Sequence, residues 1–247
     1  MRKRGKTMNY TVSDYYGYEC LEFEFMGRGA KLVRPNVEPN GNWALKTEYF
    51  DAFPDTQLEL LARGWHIAYN ENIDRWAEPR DLERKAAFVE FVSKEFSLSE
   101  KCVPIGMSCG GMYAVKLSAL IPEKIAGLYL DAPVINLLSC PCALGVAKVS
   151  LYDEYFELTG RTISEMLSYR DHPFDKLPIL LKNNIPILLV AGDSDGVVPY
   201  SENGILVEKY YKENGGDIKV FIKPGCDHHP HGLENYKMAA DLIESFV

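Results

Sequence analysis

Cys102-Val103-Pro104-Ile105-Gly106-Met107-Ser108-Cys109-Gly110-Gly111 sets a serine between two glycines where an apolar run gives way to a helical pattern. This is the form of a nucleophile elbow, a tight strand-to-helix turn that holds a hydroxyl exposed for a histidine to deprotonate. Gly106 and Gly110 leave room for the turn, because a side chain at either would crowd the neighbouring backbone. The amide of Cys109, first in the helix, can donate to an oxyanion. Alone, the five-residue pattern also fits a plain strand-to-helix turn, so the rest of the chain decides.

A serine nucleophile requires a base and an acid that orients it, each ending a later strand. Ile187-Leu188-Leu189-Val190 runs into Ala191-Gly192-Asp193-Ser194-Asp195-Gly196-Val197-Val198-Pro199, a loop with two carboxylates. Lys219-Val220-Phe221-Ile222 runs into Lys223-Pro224-Gly225-Cys226-Asp227-His228-His229-Pro230-His231. The chain order Ser, Asp, His is the one expected when an elbow is genuine.

Working outward, apolar runs alternate with helical patterns. Cys20 to Phe25, Ala30 to Val33, Trp65 to Tyr69, Val103 to Met107, Leu128 to Leu130, Ile187 to Val190 and Lys219 to Ile222 read as strands. A loop through Pro39-Asn40-Gly41 leads to Trp43. Between the later strands lie a short helix after Asp55-Thr56, closed by Gly64, and a helix with Leu82, Ala86, Val89 and Val92 on its apolar stripe. On that helix Arg84, Lys85, Glu90 and Lys94 fall off the stripe. Strands alternating with helices predict a mostly parallel sheet covered on both faces. The stretch from about 136 to 184 is too long for one crossover and reads as a small helical cap inserted into a single 1–247 domain.

These features together resemble the α/β-hydrolase superfamily over nearly the whole length, from Cys20 to the C-terminal helix. Gly-Asn-Trp near residue 42, Asp131-Ala132-Pro133-Val134 and the histidine-rich run resemble, more narrowly, bacterial hydrolases associated with esterified sugars. The resemblance implies Ser108 as nucleophile, His228 as general base and then acid, and Asp195 as the carboxylate that orients it. Asp193 would cap its loop, and Asp131 is an alternative acid. Asp227 beside the base could raise the pKa of His228. The second oxyanion donor is expected from the Asn42-Trp43 backbone, beside the Cys109 amide. Asn42, Trp76, His229 and His231 are the candidate substrate contacts, with Asp74 and Arg75 able to line the same pocket.

The 247 residues, 47% of them hydrophobic, suffice for one large core. A net charge of −8 disfavours a nucleic-acid or anionic-membrane partner. The basic run 1–6 has no apolar segment behind it, and no stretch is long and apolar enough to cross a bilayer. The expectation is a cytoplasmic protein acting on a small-molecule ester. The six cysteines are scattered, so reduced thiols are expected, and Cys140-Pro141-Cys142 is read as structural. Three histidines and one carboxylate at residues 227–231 would suit zinc. A packed run rarely points every side chain at one ion, so no metal and no organic cofactor are expected.

The function expected is carboxylic-ester hydrolysis through an acyl-enzyme. A peptidase with the same triad is the nearest alternative. Such enzymes often carry a large extra domain, which 247 residues lack. A binding protein that keeps the fold without turnover is the other.

Overall fold

Strand β6, Val103–Met107, has every residue buried and lies within a sheet that carries the serine at its carboxyl edge. The computed structural model describes residues 9–247, so the basic run 1–6 lies outside the described residues. The other strands are β1 Thr11–Tyr15, β2 Tyr18–Phe25, β3 Arg28–Val33, β4 Trp43–Lys46, β5 His66–Asn70, β7 Leu128–Asp131, β8 Ile187–Gly192 and β9 Ile218–Lys223. They form one sheet in the order β1-β2-β3-β5-β4-β6-β7-β8-β9. Pairings from β1 to β5 are antiparallel, and those from β5 through β4 to β9 are parallel.

Period-2 alternation sends Leu128 and Leu130 to one face and Tyr129 to the other. The first face is covered by α2 Pro79–Glu95, α3 Cys109–Leu120, α6 Leu177–Lys182 and α7 Gly204–Glu213. The second is covered by α1 Asp55–Ala62 and α8 Tyr236–Glu244. Helix α3 is apolar on all sides, as a helix packed between sheet and neighbours must be. This is the α/β-hydrolase architecture, with parallel strands aiming their carboxyl ends at one edge.

Residues 136–184 divide into two parts. Helix α6 packs against α3 and α7 as the crossover of the β7-to-β8 unit. Helix α4 Tyr152–Thr159 and the turn that leads into α5 Ile163–Ser168 instead meet the loop that follows β5. Tyr155 packs edge-on against Trp76, Arg161 forms a two-pronged ion pair with Glu78, and Arg75 pairs with Glu154.

Three local features depart from the sequence reading. Strand β4, to which no strand was assigned, is fully buried although its four residues include Lys46. Strand β1 is an edge strand whose mostly polar, exposed residues carry no apolar signal. Arg84 and Lys85, assigned to the outer side of α2, are buried. Arg84 pairs with Asp81, while Lys85 Nζ donates to the Asn70 carbonyl at 2.9 Å and lies over the Tyr113 ring. Burial pushes the Lys85 amine down to about 8, with Asp81 and Glu48 opposing.

His66 supplies a pH test of the fold. Its ring is buried, its Nδ1 has no hydrogen-bond partner, and burial together with Arg34 pushes its pKa down to about 4. Between that value and the ordinary 6.5 the unfolded chain binds the proton and the folded chain does not, so stability rises with pH across this window. Urea midpoints should therefore fall from pH 6.5 towards 4 and fall less steeply in His66→Phe. Equal slopes would refute the assignment.

Candidate active site

The turn after β6 forces Ser108 to φ 53° and ψ −122°, a conformation that side chains rarely adopt. It is pinned on both sides. The Ser108 amide donates to the Asp131 carbonyl at 3.0 Å, and its own carbonyl accepts from the Gly111 and Val134 amides at 2.9 Å each. Space at the turn explains the glycines. A Cβ on Gly106 would sit 2.5 Å from the Gly110 carbonyl oxygen, and one on Gly111 would sit 2.3 Å from Pro133 Cβ. Cys109 opens α3 immediately after the serine, so its amide is among those left without an intrahelical acceptor.

Two later loops converge on this hydroxyl. Asp195 Oδ1 accepts from the Val197 and Val198 amides at 2.8 Å each, which leaves Oδ2 to accept from His228 Nδ1 at 2.8 Å. His228 Nε2 stands 3.1 Å from Ser108 Oγ. A carboxylate offers only acceptors, so the proton sits on Nδ1 and the lone pair of Nε2 faces the serine. Burial raises the Asp195 carboxyl, but the His228 bond and the two amides outweigh it and hold the group below its ordinary value. Asp193 Oδ1 accepts from the Gly225 amide at 2.7 Å, tying the acid loop to the histidine loop.

Asp227 bonds the backbone of both loops. Its Oδ1 accepts from the Gly196 and His228 amides at 2.9 and 2.7 Å, and these bonds hold its own carboxyl low. It therefore joins the two loops through the backbone.

A second carboxylate–imidazole pair lies beside the first. Asp131 Oδ1 accepts from His231 Nδ1 at 2.8 Å, and its Oδ2 accepts from the Gly232 amide. Asp131, the alternative acid, thus binds His231 and not His228. Below it, Lys46 is wholly buried, with Nζ donating to the Ala52 carbonyl and to Met107 Sδ. Burial pushes this amine down to about 7 against the opposing pull of Asp131. The Asp131–His231 pairing has no local sequence signal, since its partners follow β7 and β9 and meet only across β8.

Among the weaker candidates, Asn42 and Trp43 lie elsewhere. Trp43 opens β4 level with the start of β6, about 20 Å of strand from the serine. It is fully buried, and its indole donates to the Ser99 carbonyl at 2.9 Å. The Asn42 carbonyl accepts from the His66 amide at the same end. The loop that does reach the elbow is Thr47–Tyr49, at the other end of β4. Thr47 Oγ1 lies 2.7 Å from the Gly110 carbonyl oxygen, and Glu48 lies against Gly110. Trp76 is 1% exposed and is a wall residue under Tyr155 instead of an open contact; its indole N–H has no partner. His229 is exposed and stacks on Phe53.

The histidine run also departs from expectation. One ring nitrogen from each of His228, His229 and His231 lies within 4.8 Å of the others, so a packed run does here point its side chains at one place. A cleft of about 440 Å³ against the Thr47–Tyr49 loop is lined by Glu48, Tyr49, Asn72, Asp74, Arg75 and Glu154 among others.

Several solved structures share this fold. Acetyl xylan esterase 1 from Thermoanaerobacterium sp. is 17% identical, with a TM-score of 0.67 over 97% of this chain and 88% of that one. Est1E from Butyrivibrio proteoclasticus is 17% identical, with a TM-score of 0.61 over 96% of each chain. Dipeptidyl peptidase 4 from Porphyromonas gingivalis is 15% identical, with a TM-score of 0.67 over 97% of this chain and 35% of that one. Residues 65–246, which include the elbow, the acid loop and the histidine loop, match the model of the prolyl oligopeptidase family. With that match spanning most of its length, the chain belongs to the prolyl oligopeptidase family and is a serine hydrolase of the α/β-hydrolase fold.

Proposed function

We propose that this serine hydrolase cleaves short-chain acyl esters of hydroxyl-rich alcohols, with Ser108 as nucleophile, His228 as base and Asp195 as its orienting acid. The carrying observation is the unbroken relay from Asp195 Oδ2 through His228 to Ser108 Oγ, at 2.8 and 3.1 Å. Ser108 Oγ attacks the ester carbonyl as its proton passes to His228 Nε2, and Asp195 stabilises the imidazolium that forms. The Cys109 amide, with an amide of the Glu48–Tyr49 loop, receives the oxyanion. His228 then protonates the departing alcohol. Water deprotonated by the same nitrogen releases the acid and restores the serine.

The alcohol class is argued from the cleft beside Tyr49. Its charged and amide side chains, Glu48, Asn72, Asp74, Arg75 and Glu154, suit several hydroxyls better than an alkyl chain. One of the similar folds is named an acetyl xylan esterase. A site that hydrogen-bonds substrate hydroxyls discriminates strongly against analogues that lack them.

The experiment compares acetate release from acetylated xylo-oligosaccharides with that from ethyl acetate, and with cleavage of aminoacyl p-nitroanilides. The expected order places the sugar ester about tenfold or more above the alkyl ester in kcat/KM, with the anilides last. Anilides turned over faster than either ester would overturn the reading in favour of a peptidase.

A further inference from the structure

The three histidines that follow β9 form a cluster that ester hydrolysis does not need. One, His228, serves the serine, whereas His229 and His231 add two imidazoles around it. Ring centroids are 4.9 Å apart for His228 and His229, 4.8 Å for His228 and His231, and 5.0 Å for His229 and His231. The rings meet at steep angles, so no pair is stacked face to face.

Two of the three already have the surroundings typical of a metal-bound histidine. A ligating imidazole almost always donates its other N–H to a carboxylate or carbonyl, which fixes the ring and raises the basicity of the free nitrogen. His228 Nδ1 is so held by Asp195, and His231 Nδ1 by Asp131, each at 2.8 Å. Both therefore present Nε2 as an acceptor, that of His228 facing the Ser108 hydroxyl. His229 is exposed, which keeps the cluster open to solvent. Tetrahedral zinc with Zn–N bonds near 2.1 Å needs ligand nitrogens about 3.4 Å apart. One ring nitrogen from each histidine lies within 4.8 Å of the others, at most about 1.4 Å beyond that value. Neutral imidazole suits zinc, whereas magnesium prefers oxygen.

We propose that His228, His229 and His231 form an inhibitory zinc site, in which the ion takes the Nε2 lone pair of His228 and so withdraws the base from Ser108. The ion binds in place of the Ser108 hydroxyl contact and leaves the fold intact. Inhibition is reversed by removing the ion, because no covalent bond to the protein is made or broken.

Binding is separable from turnover. Calorimetric titration of Ser108→Ala with zinc chloride should give one site, because the variant keeps all three rings and relieves Nε2 of its hydroxyl partner. His229→Ala in that background should weaken binding about tenfold or more, and Cys226→Ser should leave it unchanged, placing the ion on the imidazoles instead of the nearby thiol. In the serine-containing protein, zinc should abolish p-nitrophenyl acetate turnover, EDTA should restore it, and magnesium should have no effect. His229→Ala, compared with its own zinc-free rate, should need about tenfold more zinc for half inhibition. Failure of Ser108→Ala to bind zinc, or undiminished binding and inhibition after His229→Ala, would overturn the site. Zinc binding in a protein with no hydrolytic turnover under any condition would uphold the site and count against the hydrolase reading alone.

Discussion

Ser108→Ala is expected to lower kcat on an activated acetyl ester by about 10⁵ to 10⁶, with little change in KM. The hydroxyl is the group that forms the covalent intermediate, and the methyl that replaces it leaves His228 with nothing to deprotonate but water. KM is expected to hold because the cleft beside Tyr49 and the oxyanion amides keep their form. The elbow itself should survive: the bonds that pin residue 108, to Asp131, Gly111 and Val134, all run through its backbone. Thermal unfolding of the variant should accordingly match the wild type to within a few degrees. A fluorophosphonate probe, which reacts only with an activated serine, should label the wild type and not Ser108→Ala. Retention of turnover within about tenfold of wild type would remove Ser108 from the mechanism.

How much of this was legible in the sequence depends on whether the signal was local. Strand β6 and the elbow were read to the residue because Val103 to Met107 is apolar and Gly-x-Ser-x-Gly needs its glycines for space that is visibly absent. The acid and histidine loops were equally plain, since one follows the fully buried β8, the other follows the apolar-alternating, half-exposed β9, and each carries its own turn residues. Strand β4 was not read because it is only four residues long and ends in a buried lysine, and Asn42 and Trp43, expected to supply the oxyanion donor, lie at the end of β4 away from the serine. Arg84 and Lys85 were placed outside for a similar reason: charge argues for solvent unless a partner is known, and besides Asp81 on the same helix their partners are the Glu71 and Asn70 carbonyls at the end of β5.

The least legible feature was the second imidazole pair. Asp131 ends β7 and His231 follows β9, and only the β7-β8-β9 order brings them to 2.8 Å. From the sequence, Asp131 could as well have served His228. Position along the chain cannot distinguish these roles, whereas the bonds made by each carboxylate can.

Those bonds predict opposite consequences for Asp195→Asn and Asp131→Asn. At residue 195 the Val197 and Val198 amides both donate to Oδ1, so an asparagine there must keep its oxygen in that place. Its NH₂ then replaces Oδ2 opposite His228 Nδ1, and two donors cannot face each other. The imidazole is driven to the tautomer that carries its proton on Nε2, leaving no lone pair for Ser108. A loss of about 10⁴ in kcat follows, with the fold retained. At residue 131 the same logic acts on a different ring. The Gly232 amide fixes the asparagine oxygen, and the NH₂ meets His231 Nδ1, which changes tautomer without touching the Ser108–His228 contact. The loss expected is about tenfold or less, through slackening of the loop that carries both histidines. Steady-state kinetics on the two variants, with circular dichroism to confirm folding, decides between the carboxylates. An Asp131→Asn deficit larger than that of Asp195→Asn would transfer the orienting role to Asp131, despite the distances.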